Sequence, residues 1–145
     1  MLCSLTRIGE LFNPMQNPNE PITILLVEDE PITRDLVTVV LERHTEYKLI
    51  VAEDGEQALS AFEEYQPRVV LLDILLPVMN GLEVLKRLKD GGHLARTSVI
   101  MTSALGYEEI IQKAMTIGAS DFIVKPFDVA LLLSRIRKSI ATMEM

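Results

Sequence analysis

The chain has 145 residues, 48% of them apolar and 24% charged, the balance of one ordinary globular domain. Its 14 basic and 21 acidic residues give a net charge of −7 and it has no Trp, which argues against nucleic-acid binding through bulk positive charge or aromatic stacking. The single cysteine, Cys3, excludes an internal disulfide and a cysteine-rich metal site. No apolar run approaches the roughly 18 residues of a membrane span, and the N-terminus lacks the apolar block of a secretory signal, so a cytoplasmic setting is expected.

Residues 1–20 divide in two. Leu5, Ile8, Leu11 and Phe12 recur at helical spacing, but so short a segment is marginal as an isolated helix, so a tail or a short helix is expected. The stretch NPMQNPNEP that follows has three prolines and three asparagines with little to bury, and reads as a linker. Residues 21–142 are then expected to form the domain, with 143–145 as a C-terminal tail.

From Ile22 onward, apolar runs alternate with amphipathic segments. Residues 22–27 predict a strand buried on both faces. Residues 31–43 predict a helix with Asp29 as its N-cap and Pro31 in its first turn. A second strand is expected over 47–52, then a helix over 55–65 with Ala58, Leu59 and Phe62 inward. A third strand, 69–72, stops at Asp73; a helix over 82–89 turns Leu82, Leu85 and Leu88 inward and ends at Gly91-Gly92. Strands over 98–102 and 121–124 flank a helix over 107–117. The last helix, 129–140, faces Leu132, Leu133, Ile136 and Ile140 inward. Five strand–helix units imply an α/β fold: a doubly wound, five-stranded parallel sheet with helices on both faces.

Polar residues follow the strands. The first ends in Glu28-Asp29-Glu30, the third in Asp73, the fourth in Thr102-Ser103 and the fifth in Lys125-Pro126. In a parallel sheet all of these emerge at the carboxyl edge, where ligands of such folds bind. One acid after one strand needs no special reason, because a strand must end in something polar; the whole set is poorly explained that way. Clustered carboxylates repel one another and rise in pKa, and Mg²⁺ relieves that repulsion. An ammonium and a hydroxyl beside them suit the oxygens of a phosphoryl group, and Asp73 is placed as the nucleophile that accepts it. His44 and His93 lie away from the strand ends and read as ordinary surface or loop residues. Arg135, Arg137 and Lys138 read as complements to a helix C-terminus, with a partner-docking face as the alternative.

These residues resemble the receiver domain of bacterial two-component response regulators. LLVEDEP, VVLLDILLPVMNG, VIMTSA and FIVKPF stand in that family's order and spacing between residues 22 and about 140. The resemblance implies a flavodoxin-like strand order 2-1-3-4-5. It implies Asp73 as phosphoacceptor, Glu28, Asp29 and Asp73 as holders of Mg²⁺ together with the backbone carbonyl of Leu75, Thr102 and Lys125 as phosphoryl contacts, and Phe122 as the switch aromatic. It also implies a cis Lys125–Pro126 peptide and a turn at Asn80-Gly81 in which glycine permits positive φ.

The function so implied is a stand-alone response regulator, since little chain follows the last helix. It takes a phosphoryl group from a sensor histidine kinase or a histidine phosphotransfer protein. It then alters the face made by its fourth helix, fifth strand and fifth helix to control a protein partner, as a monomer or a phosphorylation-dependent homodimer. Such a domain is a phosphoacceptor rather than an enzyme. Glu28 and Asn80 each stand where aspartate is commoner. Leu75 and Ala104 occupy positions that influence how water reaches the phosphoryl group, and the apolar Leu75 predicts slow to moderate autodephosphorylation. Phe122 lacks a tyrosine hydroxyl, so its switch works through ring burial. One rival is a Mg²⁺-dependent phosphohydrolase with an aspartate nucleophile, which carries a second acid where this chain has Leu75. The other is a non-phosphorylated scaffold, disfavoured by the intact set of Glu28, Asp29, Asp73, Thr102 and Lys125.

Overall fold

The computed structural model describes residues 20–143; the expectations for the tail, the short helix and most of the linker lie outside them. In chain order the elements are β1 (Thr23–Val27), α1 (Pro31–His44), β2 (Lys48–Ala52), α2 (Gly55–Tyr65), β3 (Val69–Asp73), α3 (Gly81–Asp90), a 3₁₀ turn (His93–Ala95), β4 (Ser98–Ser103), α4 (Glu108–Ile117), β5 (Asp121–Val124) and α5 (Val129–Met143). The strands form one sheet in the order β2-β1-β3-β4-β5, and every neighbouring pair is parallel.

Side chains alternate across a strand, so each central strand feeds two cores. Leu25, Val27, Val70, Leu72, Val99 and Met101 pack on one face with Phe62 of α2, Val84 and Leu85 of α3 and Ala114 of α4. Ile24, Leu26, Val69, Leu71, Ile100 and Ile123 pack on the other with Val37 and Leu41 of α1 and Leu132, Ile136 and Ile140 of α5. This double duty is why the strands read as near-continuous apolar runs. On the helices, Leu59, Leu82 and Leu133 are only partly buried at the core margin, and Val84 takes an inward position on α3.

Two local expectations are corrected. The N-cap of α1 is Glu30, not Asp29: the Glu30 carboxylate accepts from the amides of Ile32 at 3.1 Å and Thr33 at 2.6 Å. The helix starts at Pro31, so the residue before it is the cap, and Asp29 is left to face elsewhere. Hydrogen bonds from Thr33 hold the Glu30 carboxyl below its usual range.

The second correction concerns Gly81, which opens α3 and is not a positive-φ residue. A Cβ there would lie 2.1 Å from the Asp73 carbonyl oxygen, so glycine is needed for close approach of backbone to backbone. Positive φ falls instead on Val78, at 70°. The Met79 amide donates to the Pro77 carbonyl at 2.7 Å, closing a tight γ-turn around Val78. A β-branched residue held there costs on the order of 1–3 kcal/mol. The Lys125–Pro126 peptide is cis, as expected.

Candidate functional site

Strand register brings the polar ends together. Val27 pairs with Leu72, Asp73 with Thr102 and Ser103 with Val124, so residues 28, 73, 102 and 125 leave the sheet at one edge. Carboxylate oxygens of Glu28, Asp29 and Asp73 lie within 4.8 Å of one another. Glu28 and Asp73 are 2% and 4% exposed, whereas Asp29 is open to solvent. Lys125 reaches in from the end of β5. Its Nζ bonds Asp73 Oδ2 at 3.0 Å and makes a shorter contact with Glu28 Oε1.

The second carboxylate oxygens of Asp73 and Glu28 are held by backbone. The Leu75 amide donates to Asp73 Oδ1 at 3.3 Å, and the Glu30 amide donates to Glu28 Oε2 at 3.1 Å. Burial pushes the Glu28 carboxyl up; the Lys125 hydrogen bond opposes that rise and the charge on Asp73 adds to it. Desolvation thus does more than the mutual repulsion expected from the sequence. Burial disfavours the Lys125 ammonium, but its bonds to Glu28 and Asp73 outweigh this and raise its pKa. Three carboxylates against one ammonium leave a surplus of negative charge. Hard oxygen donors with that surplus, one of them facing solvent, fit Mg²⁺, which keeps several of its waters.

Thr102 is buried on β4 beside Asp73. Phe122 on β5 pairs in register with Met101 and is partly buried against the core of the α2–α4 face. Leu75 is 52% exposed and Ala104 is exposed, so neither closes the pocket. Asn80 caps α3, accepting from the Glu83 amide at 3.0 Å, the same task an aspartate would perform. The histidines stay apart: His44 lies at the end of α1, and His93 sets its ring edge-on to Phe62 at 4.9 Å. Arg135 pairs with Asp121 at 2.5 Å.

Sequence reasoning missed Arg34. From α1 its guanidinium donates to the carbonyls of Glu28 and Asp29 at 3.4 and 3.5 Å and pairs with Glu53 at 3.5 Å, bracing the acidic loop. No motif marks it; an arginine on a helix surface has the same appearance in a sequence whether or not it folds back over the preceding loop.

The description "response regulator receiver domain" matches residues 24–137. The chain belongs to that family. It is 36% identical over 117 residues to chemotaxis protein CheY of Bacillus subtilis, covering 81% of this chain and 96% of CheY. It is 32% identical over 130 residues to the transcriptional regulatory protein TrcR of Mycobacterium tuberculosis, covering 90% of this chain and 49% of TrcR, so it spans about half the length of that relative.

A CheY-like receiver domain protein from Methanospirillum hungatei superposes with a TM-score of 0.80 at 26% identity, covering 86% of this chain and 98% of the other. A chain of the CheX–CheY–BeF₃–Mg²⁺ complex from Borrelia burgdorferi does so with a TM-score of 0.76 at 32% identity, covering 83% and 90%. Receiver domains are signalling domains of two-component systems, generally not enzymes. They interact with histidine kinases and downstream targets and bind Mg²⁺ at an acidic pocket. No helix among the described residues is long and apolar enough to cross a membrane.

Proposed function

We propose that this receiver domain accepts a phosphoryl group on Asp73 from the phosphohistidine of a sensor histidine kinase or a histidine phosphotransfer protein, and that the change controls a downstream protein. The observation that carries this reading is the convergence of Asp73 with Glu28, Asp29, Thr102 and Lys125 at one sheet edge. An Asp73 carboxylate oxygen forms the new P–O bond while the P–N bond to the donor imidazole breaks and its electron pair returns to the ring. The Lys125 ammonium, already bonded to Asp73, pairs with a phosphoryl oxygen, and the Thr102 hydroxyl donates to another. Glu28, Asp29 and Asp73, with the Leu75 backbone carbonyl, would hold Mg²⁺, which when bound supplies positive charge beside the phosphoryl oxygens.

Movement of Thr102 toward the phosphoryl group opens space beside β5. Phe122, partly buried, turns its ring into that space, and the face of α4, β5 and α5 changes shape. Leu75 and Ala104 bring no polar side chain to an attacking water, so the acyl phosphate is hydrolysed slowly to moderately. The domain comprises residues 21–142, with 1–20 and 143–145 outside it; it acts in the cytoplasm, monomeric or dimerising on phosphorylation.

Acetyl phosphate with Mg²⁺ tests the reading. The intact mass should rise by one phosphoryl group, and Asp73→Asn should abolish the gain. Steady multi-turnover release of phosphate from small phosphate esters would favour an aspartate-dependent phosphohydrolase instead. No gain at all would favour a scaffold.

A further inference from the structure

We infer that Gly55, the first residue of α2 and outside the acidic pocket, is a positioning residue: it clamps the loop between β3 and α3 and so sets the Asp73–Leu75 arm. The functional meaning of that arm rests on the proposed phosphoryl-acceptor reading. The Ile74 carbonyl accepts from both the Leu76 amide at 3.1 Å and the Gly81 amide at 2.7 Å. Between them the Leu75 amide donates to Asp73 Oδ1. The path of this loop therefore decides how the Asp73 carboxylate is turned and where the Leu75 carbonyl sits.

The loop's own bond from the Met79 amide to the Pro77 carbonyl closes the turn without deciding its hand, since the same bond forms at negative φ. Val78 sits at φ 70°, against the preference of a β-branched residue, and is 70% exposed, so burial of its own side chain does not hold it there. Such a conformation persists only when the surroundings impose it. Gly55 supplies the imposition from both sides of the turn. Its amide donates to the Pro77 carbonyl at 3.5 Å, and a Cβ on it would lie 2.3 Å from the Met79 carbonyl oxygen and 2.6 Å from the Met79 Cβ. Asp54 steadies this helix end by accepting from the Gln57 amide at 2.8 Å. A methyl at position 55 must displace Met79; Val78 is then released toward negative φ, and the arm moves with it.

The test reads the Leu75 amide signal by NMR in metal-free protein, the Kd for Mg²⁺ alone, and thermal stability. Val78→Gly should raise the melting temperature and leave the Leu75 signal and the Mg²⁺ Kd within about twofold of wild type, since glycine accepts the imposed φ without strain. Gly55→Ala should shift the Leu75 signal and weaken Mg²⁺ binding at least about fivefold by displacing a liganding arm. If that variant does not fold, the substitution is made in the Val78→Gly background.

Gly91→Ala, whose methyl crowds the His93 ring at the other end of α3, should lower the melting temperature without changing the Mg²⁺ Kd. A wild-type Leu75 signal and Mg²⁺ Kd in Gly55→Ala would overturn the clamp, as would a displaced Leu75 signal in Val78→Gly. Wild-type protein that binds no Mg²⁺ would sink the proposed function, and the amide readout would still judge the clamp.

Discussion

The two ends of the sheet both bury polar side chains and satisfy them in opposite ways. At the amino end, Thr97 donates to the Pro67 carbonyl at 3.0 Å and Ser98 donates to the Ser120 hydroxyl at 2.7 Å. These are neutral pairs, closed within the fold, and they tie β4 to its neighbours. At the carboxyl end the buried groups are the charged Glu28 and Asp73, and their shared partner Lys125 does not balance them once Asp29 is counted. Burying charge costs more than burying a hydroxyl, and a charged cluster is a poor route to stability when apolar residues would pack as well. A fold selected for rigidity alone would resemble the amino end throughout. The carboxyl end keeps a surplus of negative charge that suits a cation.

That contrast can be broken by substitution at either end. Gly81→Ala should have the largest effect, since its methyl would meet the Asp73 carbonyl at 2.1 Å and neither backbone can yield easily. A loss of about 3 kcal/mol is expected in urea denaturation, with phosphoryl acceptance lost as well.

Lys125→Met comes next. Without the ammonium, two buried carboxylates face each other, and about 2 kcal/mol of stability should go in metal-free buffer. Added Mg²⁺ should raise the melting temperature of this variant more than that of wild type, because a cation replaces the missing one. An equal response in the two proteins would show that the ammonium and the metal do not share the site.

Ser98→Ala, at the amino end, should cost about 1 kcal/mol and leave phosphoryl acceptance at the wild-type rate. A slowed rate would mean that the two ends are coupled. The smallest change in stability belongs to Asp73→Asn, which keeps the shape and removes one of the repelling charges; its melting temperature in metal-free buffer should equal or exceed that of wild type. The same variant should show no phosphoryl gain by mass, separating the chemistry of the carboxyl end from its contribution to folding.

Much of this was legible from residue order. Apolar periodicity placed all five strands and the five helices that follow them, with ends off by a residue or so except at α5, which runs to Met143. It placed them because burial on two faces, or on one helical stripe, leaves a local pattern. The residues at the carboxyl edge were also legible, since in a parallel sheet each strand must deliver its next residue to the same side. The strand order came from the family resemblance, because periodicity carries no record of which strands are neighbours.

The rest was fixed by packing, chiefly through contacts between distant residues. Lys125 meets Glu28 across 97 positions, and no local pattern says which acid a lysine will find. Gly81 was legible as a necessary glycine but not for its reason, which is the Asp73 carbonyl pressed against it. Val78 gave no sign that it would carry the positive φ, because its own preference is against it. The cap of α1 is the exception: its bonds are local, and the expected helix start at Pro31 already pointed to Glu30 rather than Asp29. Residue order settled which groups reach the edge of the sheet; the packed chain settled what each of them touches, because hydrogen-bond partners and steric limits depend on positions that no run of neighbouring residues encodes.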